Sequence, residues 1–211
     1  MIHPSPRSRR RKQILRIGLL GGSFNPAHEG HVAMSLYALK QLRLDEVWWL
    51  VSPQNPLKAK NGMAPLPKRL RQARRLAKGY PRLRVTAIEE RLGTRYTIDT
   101  LLALKRLKPK VSFIWLMGAD NLLTFHRWHR WKDLFCNVPI AVFRRPGYAL
   151  GRCPGKAAIH FAKAKLKTPL AGQLAVQSPP AWLVLANKPN KVSATKLRQK
   201  DKKKQRQNKG S

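Results

Sequence analysis

Acid is what this sequence has least of. Nine Asp and Glu stand against 44 Lys and Arg, giving a formal net charge of +35 over 211 residues. The ends do not explain the excess. Residues 1–12 hold five basic residues and no acid, and residues 196–211 hold eight basic residues and one acid, so +23 remains between them. A field of that sign attracts polyanions such as nucleotides, RNA or anionic lipid, and says nothing about fold. Cysteine is equally scarce. Cys136 and Cys153 are the two present, too few for a disulfide framework or a Cys-x-x-Cys metal knuckle, and they read as reduced thiols of a cytoplasmic protein. No apolar run approaches the ~18 residues of a membrane span. Near the start, Arg16 interrupts the apolar stretch and no small-x-small site follows, which argues against a signal peptide. The dinucleotide fingerprint G-x-G-x-x-G is absent. The nearest imitation of a Walker loop, GRCPGK at 151–156, lacks the four-residue gap and the Ser or Thr.

What is present is a core. Apolar residues make up 43% of the chain and six are tryptophan, enough for one domain. That domain is expected over 14–198. A Pro/Ser/Arg-rich arm precedes it at 1–13, expected to be disordered, and a basic tail follows it at 199–211. Six short apolar runs, at 14–20, 46–52, 83–88, 111–118, 138–145 and 181–186, are rich in Val, Ile, Leu and Trp. Continuous apolar runs without strict alternation mark strands buried on both faces. Helical spacing fills the gaps. Val32, Leu36 and Leu39, with Ala33 and Leu42 beside them, form one stripe. Leu66, Leu70, Ala73 and Ala77 form a second, with Gly79 as a candidate C-cap. Ile98, Leu101, Leu102 and Leu104 form a third, stopped by Pro109. Residues 147–172 read as a loop with one short helix. The alternation predicts an α/β fold, a doubly wound and mostly parallel sheet.

GGSFNPAHEGH, residues 21–31, falls at the carboxyl end of the first strand, where open parallel sheets bind ligands. Gly21 and Gly22 let backbone approach a ligand or take up positive φ. Pro26 stiffens the loop. A helix starting near Glu29–His31 offers N–H groups and a partial positive charge suited to phosphate. His28 and His31, three apart, become neighbours in the first turn and can donate to phosphate oxygens. The alternatives for a lone His-x-x-His are a helix surface or a metal pair, and no third ligand stands at a zinc-like spacing.

This stretch resembles the HxGH signature of the nucleotidyltransferases, Rossmann-like enzymes that transfer a nucleotidyl group from an NTP. Over about 14 to 198 the chain is similar to the bacterial nicotinate-nucleotide adenylyltransferases within that superfamily. The resemblance assigns Gly21, Gly22, Ser23, Phe24, His28 and His31 to ATP, with both histidines catalytic. In SPQNPLK (52–58) it gives Lys58 a part in holding phosphate, although many relatives carry histidine where Leu57 stands. In TRYTIDTL (94–101) it gives the loop of Thr94, Tyr96 and Thr97 the nicotinate carboxylate and ring. From the residues alone, Tyr96 could be core, and Thr94 or Thr97 a helix cap.

MGADNLLTFHRWHRW (117–131) follows the fourth run. By resemblance Gly118 and Asp120 contact the adenosine, and Trp128 stacks on the nicotinate ring, where a flat indole suits a pyridinium cation. Trp131 reads as core, and His126 and His129 as loop histidines. RRPG (144–147) recurs in the family as a turn. In VSATKLR (192–198), Ser193 is a natural N-cap, and Thr195 and Arg198 stand three apart on the first helical turns. This matches the superfamily's second signature, S-x-T-x-x-R, which holds the β- and γ-phosphates. Arg198 joins the catalytic set by resemblance. Many relatives continue past this signature with a further helix; here QKDKKKQRQNKGS follows.

The implied reaction is adenylyl transfer from MgATP to nicotinate mononucleotide, giving nicotinate adenine dinucleotide and pyrophosphate, a step of NAD biosynthesis. The attacking phosphate is already ionised, so neither a general base nor a covalent intermediate is needed. Mg²⁺ is expected mainly on ATP oxygens and water, with no dedicated protein site. Another acceptor such as nicotinamide mononucleotide is the near alternative. An RNA-binding protein on the same scaffold is the distant one, since the signatures are retained. Non-specific nucleic-acid binding through the charge stays open, and oligomeric state is not legible.

Overall fold

The computed structural model describes residues 14–53, 62–144 and 154–186. Six parallel strands form one sheet: β1 (Leu15–Gly22), β2 (Glu46–Val51), β3 (Leu83–Thr86), β4 (Val111–Gly118), β5 (Ile140–Phe143) and β6 (Trp182–Leu185). Their order is β3-β2-β1-β4-β5-β6. β1 therefore pairs with β2 on one side, Leu19 opposite Trp48, and with β4 on the other, Leu19 opposite Trp115. The order reverses between β1 and β4, and a crevice opens there at the strands' carboxyl ends. All six apolar runs are strands, as continuous burial requires.

Helices cover both faces. α1 (Glu29–Gln41) and α2 (Leu66–Ala77) pack on one, with the 3-10 segment Thr168–Val176. The short α3 (Ile88–Arg91) follows β3. α4 (Thr97–Leu107), α5 (Ala119–Thr124), α6 (Trp131–Asn137) and α7 (Lys156–His160) stand on the other face. No described helix is long and apolar enough to cross a membrane.

The structure revises four details of the sequence reading. On α1, Leu36 is 40% exposed and Ala33 is exposed, and the buried face instead runs through Val32, Ser35, Ala38 and Leu39. Ser35 tolerates burial because its hydroxyl donates to the His31 carbonyl and accepts from the Trp49 indole, both at 2.8 Å. α2 ends on Lys78 in right-handed conformation, so Gly79 is not a left-handed cap. α4 begins at Tyr96 with no side-chain cap, so neither Thr94 nor Thr97 caps it. The described part of 147–172 holds α7 and two 3-10 segments, more helix than one short element.

Candidate active site

The first residues of α1 are fixed by the histidines themselves. His28 is the N-cap in extended conformation, and its Nδ1 accepts from the Gly30 N–H at 3.1 Å. His31, three residues on, accepts the His28 N–H on its own Nδ1 at 3.2 Å. This is a capping box with imidazoles in place of the usual hydroxyl and carboxylate. A neutral imidazole has one donor and one acceptor nitrogen. Both rings therefore carry their proton on Nε2 and donate through that atom. Their centroids lie 3.9 Å apart. The His31 N–H is also engaged, to the His28 carbonyl at 2.8 Å. The expectation that bare helix-start amides meet an anion is thus revised: these amides serve the cap, and the imidazoles offer the donors, beside the positive end of the helix.

Phe24 supports this pair from behind. Its ring is 2% exposed, stacks on Trp49 at 5.2 Å and lies 4.7 Å from His31. Its side chain belongs to the core, so what Phe24 can offer a ligand is its backbone, and it is Phe24 that takes positive φ in this loop. Gly21 and Gly22 do not. Gly21 is needed for a different reason: a Cβ there would stand 2.5 Å from Cη2 of Trp115.

Beside this loop a cavity of about 380 Å³ opens. Gly21, Gly22 and Ser23 form one wall, and among the other described residues Ser52, Glu89, Arg95, Tyr96, Thr97, Trp115, Asn121, Arg127, Trp128 and His129 line the cavity. Trp128 lies on Phe125, centroids 4.9 Å apart and nearly parallel, with its edge toward Trp115. Tyr96 stacks on His129 at 4.1 Å; His129 stands in the turn before α6, as its reading as a loop histidine expects, and lines the cavity from there. Tyr96 and Thr97 open α4, whose positive end faces the same space. Thr94 does not line the cavity. Its hydroxyl pairs with Thr100 at 2.7 Å and its N–H donates to the Glu89 carbonyl at 3.0 Å, which holds the loop in place. Gly118 is the N-cap of α5 and Asp120 lies in its first turn, at the end of β4 and outside the cavity lining. Lys58, Ser193, Thr195 and Arg198 lie outside the described residues, as do both chain ends and RRPG beyond Arg144.

Two charged residues went unread in the sequence. Arg69 of α2 is 1% exposed and makes no ion pair among the described residues. Instead Nη1 donates to the carbonyls of Ser23 and Ser52, both at 2.7 Å, Nη2 to Pro53 and Nε to Ala64, both at 2.8 Å. One side chain thereby ties the loop after β1 to the loop after β2, and burial pulls its pKa down. The legible signal was an arginine on the apolar stripe of α2, three residues after Leu66 and four before Ala73. Glu89 of α3 is 7% exposed and lines the cavity. Burial raises its pKa, and a hydrogen bond with the Ser52 side chain partly offsets that. Among the described residues, no three His, Cys, Asp or Glu side chains converge into a metal site.

Residues 19–200 match the cytidylyltransferase-like family. A probable nicotinate-nucleotide adenylyltransferase of Methylorubrum extorquens strain PA1 is 50% identical over 87% of this chain and 99% of its own length. One of Cereibacter sphaeroides, of the same name, is 53% identical over 86% of this chain and 96% of its own. In fold, the chain is similar to the Plasmodium falciparum nicotinic acid mononucleotide adenylyltransferase complexed with NaAD. The TM-score is 0.64 at 14% identity, over 88% of this chain and 83% of that one. The chain belongs to the cytidylyltransferase-like nucleotidyltransferases and, within them, to the bacterial nicotinate-nucleotide adenylyltransferases.

Proposed function

We propose that the protein transfers the adenylyl group of MgATP to nicotinate mononucleotide, releasing pyrophosphate, by direct in-line attack of the mononucleotide phosphate on the α-phosphorus. The observation that carries this reading is the shared loop. Gly21–Ser23 lead into the paired histidines and also wall a cavity lined by the rings of Tyr96, Trp115 and Trp128. A nucleotide phosphate and a pyridine ring bound on the two sides of one loop are held within reach of each other, and positioning is the main thing the reaction needs. The Nε2–H groups of His28 and His31 donate to oxygens of the transferring phosphate as charge gathers there. Trp128, backed by Phe125, offers its indole to the pyridinium ring. The opening of α4 at Tyr96 and Thr97 receives the carboxylate. Ser193, Thr195 and Arg198 are assigned to the leaving pyrophosphate, Lys58 to phosphate, and Gly118 and Asp120 to the adenosine, on their signature positions. Mg²⁺ enters with ATP as part of the substrate and offsets phosphate charge.

Arg95 and Arg127 line the cavity, and two cations there favour nicotinate over nicotinamide. The test is pyrophosphate release with MgATP and either mononucleotide in parallel. Release with nicotinate mononucleotide, at least tenfold above the amide, is expected. Equal release would remove the specificity, and silence with both mononucleotides would remove the reading.

A further inference from the structure

We infer that Glu89 recognises the ribose of the pyridine mononucleotide, its carboxylate accepting a hydrogen bond from a ribose hydroxyl. The inference rests on the nicotinate mononucleotide reading and assigns a residue outside the HxGH and S-x-T-x-x-R stretches.

The argument begins with donors and acceptors. Among the described residues, Glu89 is the one acidic side chain in the cavity wall. An ionised carboxylate only accepts hydrogen bonds. Nicotinate mononucleotide offers it little: its carboxylate and ionised phosphate also only accept, and the pyridinium nitrogen, bonded to the sugar, has no proton. The two ribose hydroxyls are its only donors. A carboxylate facing the ligand's own anions would repel them, so the ribose is the part of this ligand that Glu89 can hold.

The position agrees. Glu89 and Ser52 line the same cavity, and the Ser52 N–H donates to the Gly22 carbonyl at 3.0 Å, on the nucleotide loop. Through its backbone carbonyl Glu89 takes the Thr94 N–H at 3.0 Å, at the base of the loop that carries Tyr96. Glu89 therefore bridges the wall on the phosphate side and the wall on the ring side. In a mononucleotide the ribose is what joins ring to phosphate. The carboxylate has capacity for a ligand hydroxyl beside any protein donor, since it offers about four lone-pair sites. Burial penalises the ionised form, and a bound hydroxyl with a pyridinium charge nearby relieves that penalty. Empty, the site disfavours the anion; filled, it supports it.

The experiment is a chemical double-mutant cycle. Wild type, Glu89→Gln and Glu89→Ala are assayed for pyrophosphate release with MgATP and nicotinate mononucleotide or its 2′-deoxy or 3′-deoxy analogue, with thermal melts to confirm folding. Wild type should lose about tenfold to a hundredfold in kcat/KM on one of the deoxy analogues, the range for hydrogen bonds to a charged group. Glu89→Ala should lose less than about twofold on that same analogue. Glu89→Gln, which keeps the size and one acceptor but not the charge, should fall between, and it carries the test alone if the alanine variant does not fold. An equal deoxy penalty in wild type and variants overturns the inference. So does a pattern in which Glu89→Ala changes only the ratio of nicotinate to nicotinamide mononucleotide, which would put the carboxylate at the carboxamide position. Absence of wild-type turnover with nicotinate mononucleotide overturns the substrate reading and this assignment with it.

Discussion

The histidine end of the crevice is made by one short stretch of chain, and the cavity end by many. His28 and His31 are set by bonds that span two or three residues, and Phe24 and Trp49 need only support them. The cavity draws on the ends of β1 and β2, on α3, on the opening of α4, on Trp115 inside β4 and on the turn around Trp128. Its walls hold their places only while the sheet and both core layers hold theirs. A locally made donor pair withstands distant change; a convergent cavity inherits every shift of the elements around it. Arg69 is where the two constructions meet, because it grips the loop after β1 and the loop after β2 at once.

Replacing Arg69 should give the largest effect. Arg69→Met keeps much of the volume but leaves four half-buried carbonyls without their donor. The expected loss is about 2–4 kcal/mol of unfolding free energy, since a carbonyl left without its donor costs about 1–3 kcal/mol and part of the four regain water, read by urea titration. If the clamp couples the two ends, kcat falls and both substrate KM values rise in the folded variant. A protein that is merely less stable, with unaltered kinetics, would show that the ends do not depend on this side chain.

The next effect separates the ends. His31→Ala should lower kcat more than tenfold, the size of one lost transition-state donor being about 10²–10³, with the KM for nicotinate mononucleotide little changed. Trp128→Ala should do the reverse, raising that KM about tenfold through lost stacking while leaving kcat and the ATP KM near wild type. Steady-state kinetics on both variants gives a crossed pattern if the comparison is sound. Parallel losses in kcat and KM for both would mean the ends act as one unit.

The same contrast explains what could be read in the sequence. The six strands were legible because burial on both faces leaves unbroken apolar runs. His28 and His31 were legible because a contiguous motif carries its own geometry, although the consumption of the helix-start amides by the rings was not. The short α3, α5 and α6 left no periodic trace in four to seven residues. Leu36 was misjudged because helical spacing admits two stripes, and Ser35 with its two partners took the buried one. Glu89 and Arg69 were missed for a common reason. In a chain this rich in charge, a single charged residue has no pattern of its own, and its burial is decided by partners as distant as Ser23 is from Arg69.

The smallest expected effect tests how the cavity treats charge. Burial raises the Glu89 pKa above the ordinary carboxylate range, with the Ser52 bond opposing. The groups that share its cavity are Arg95, Tyr96, Arg127 and His129. A carboxyl raised in the folded state favours folding below its unfolded pKa of about 4.3, and that contribution is lost as pH rises through the folded value. Glutamine is neutral throughout. Glu89→Gln should therefore match wild type in melting temperature near pH 4 and exceed it increasingly toward pH 8. Each kcal/mol is worth about 2–4 °C in a domain of this size. Melting curves of the ligand-free proteins across that range check it. Should wild type instead gain on the variant as pH rises, Arg95 and Arg127 would be holding the carboxylate ionised before any ligand arrives. The cavity would then be as pre-set for its ligand as the histidine end is, and the difference between the two would narrow to how they are assembled.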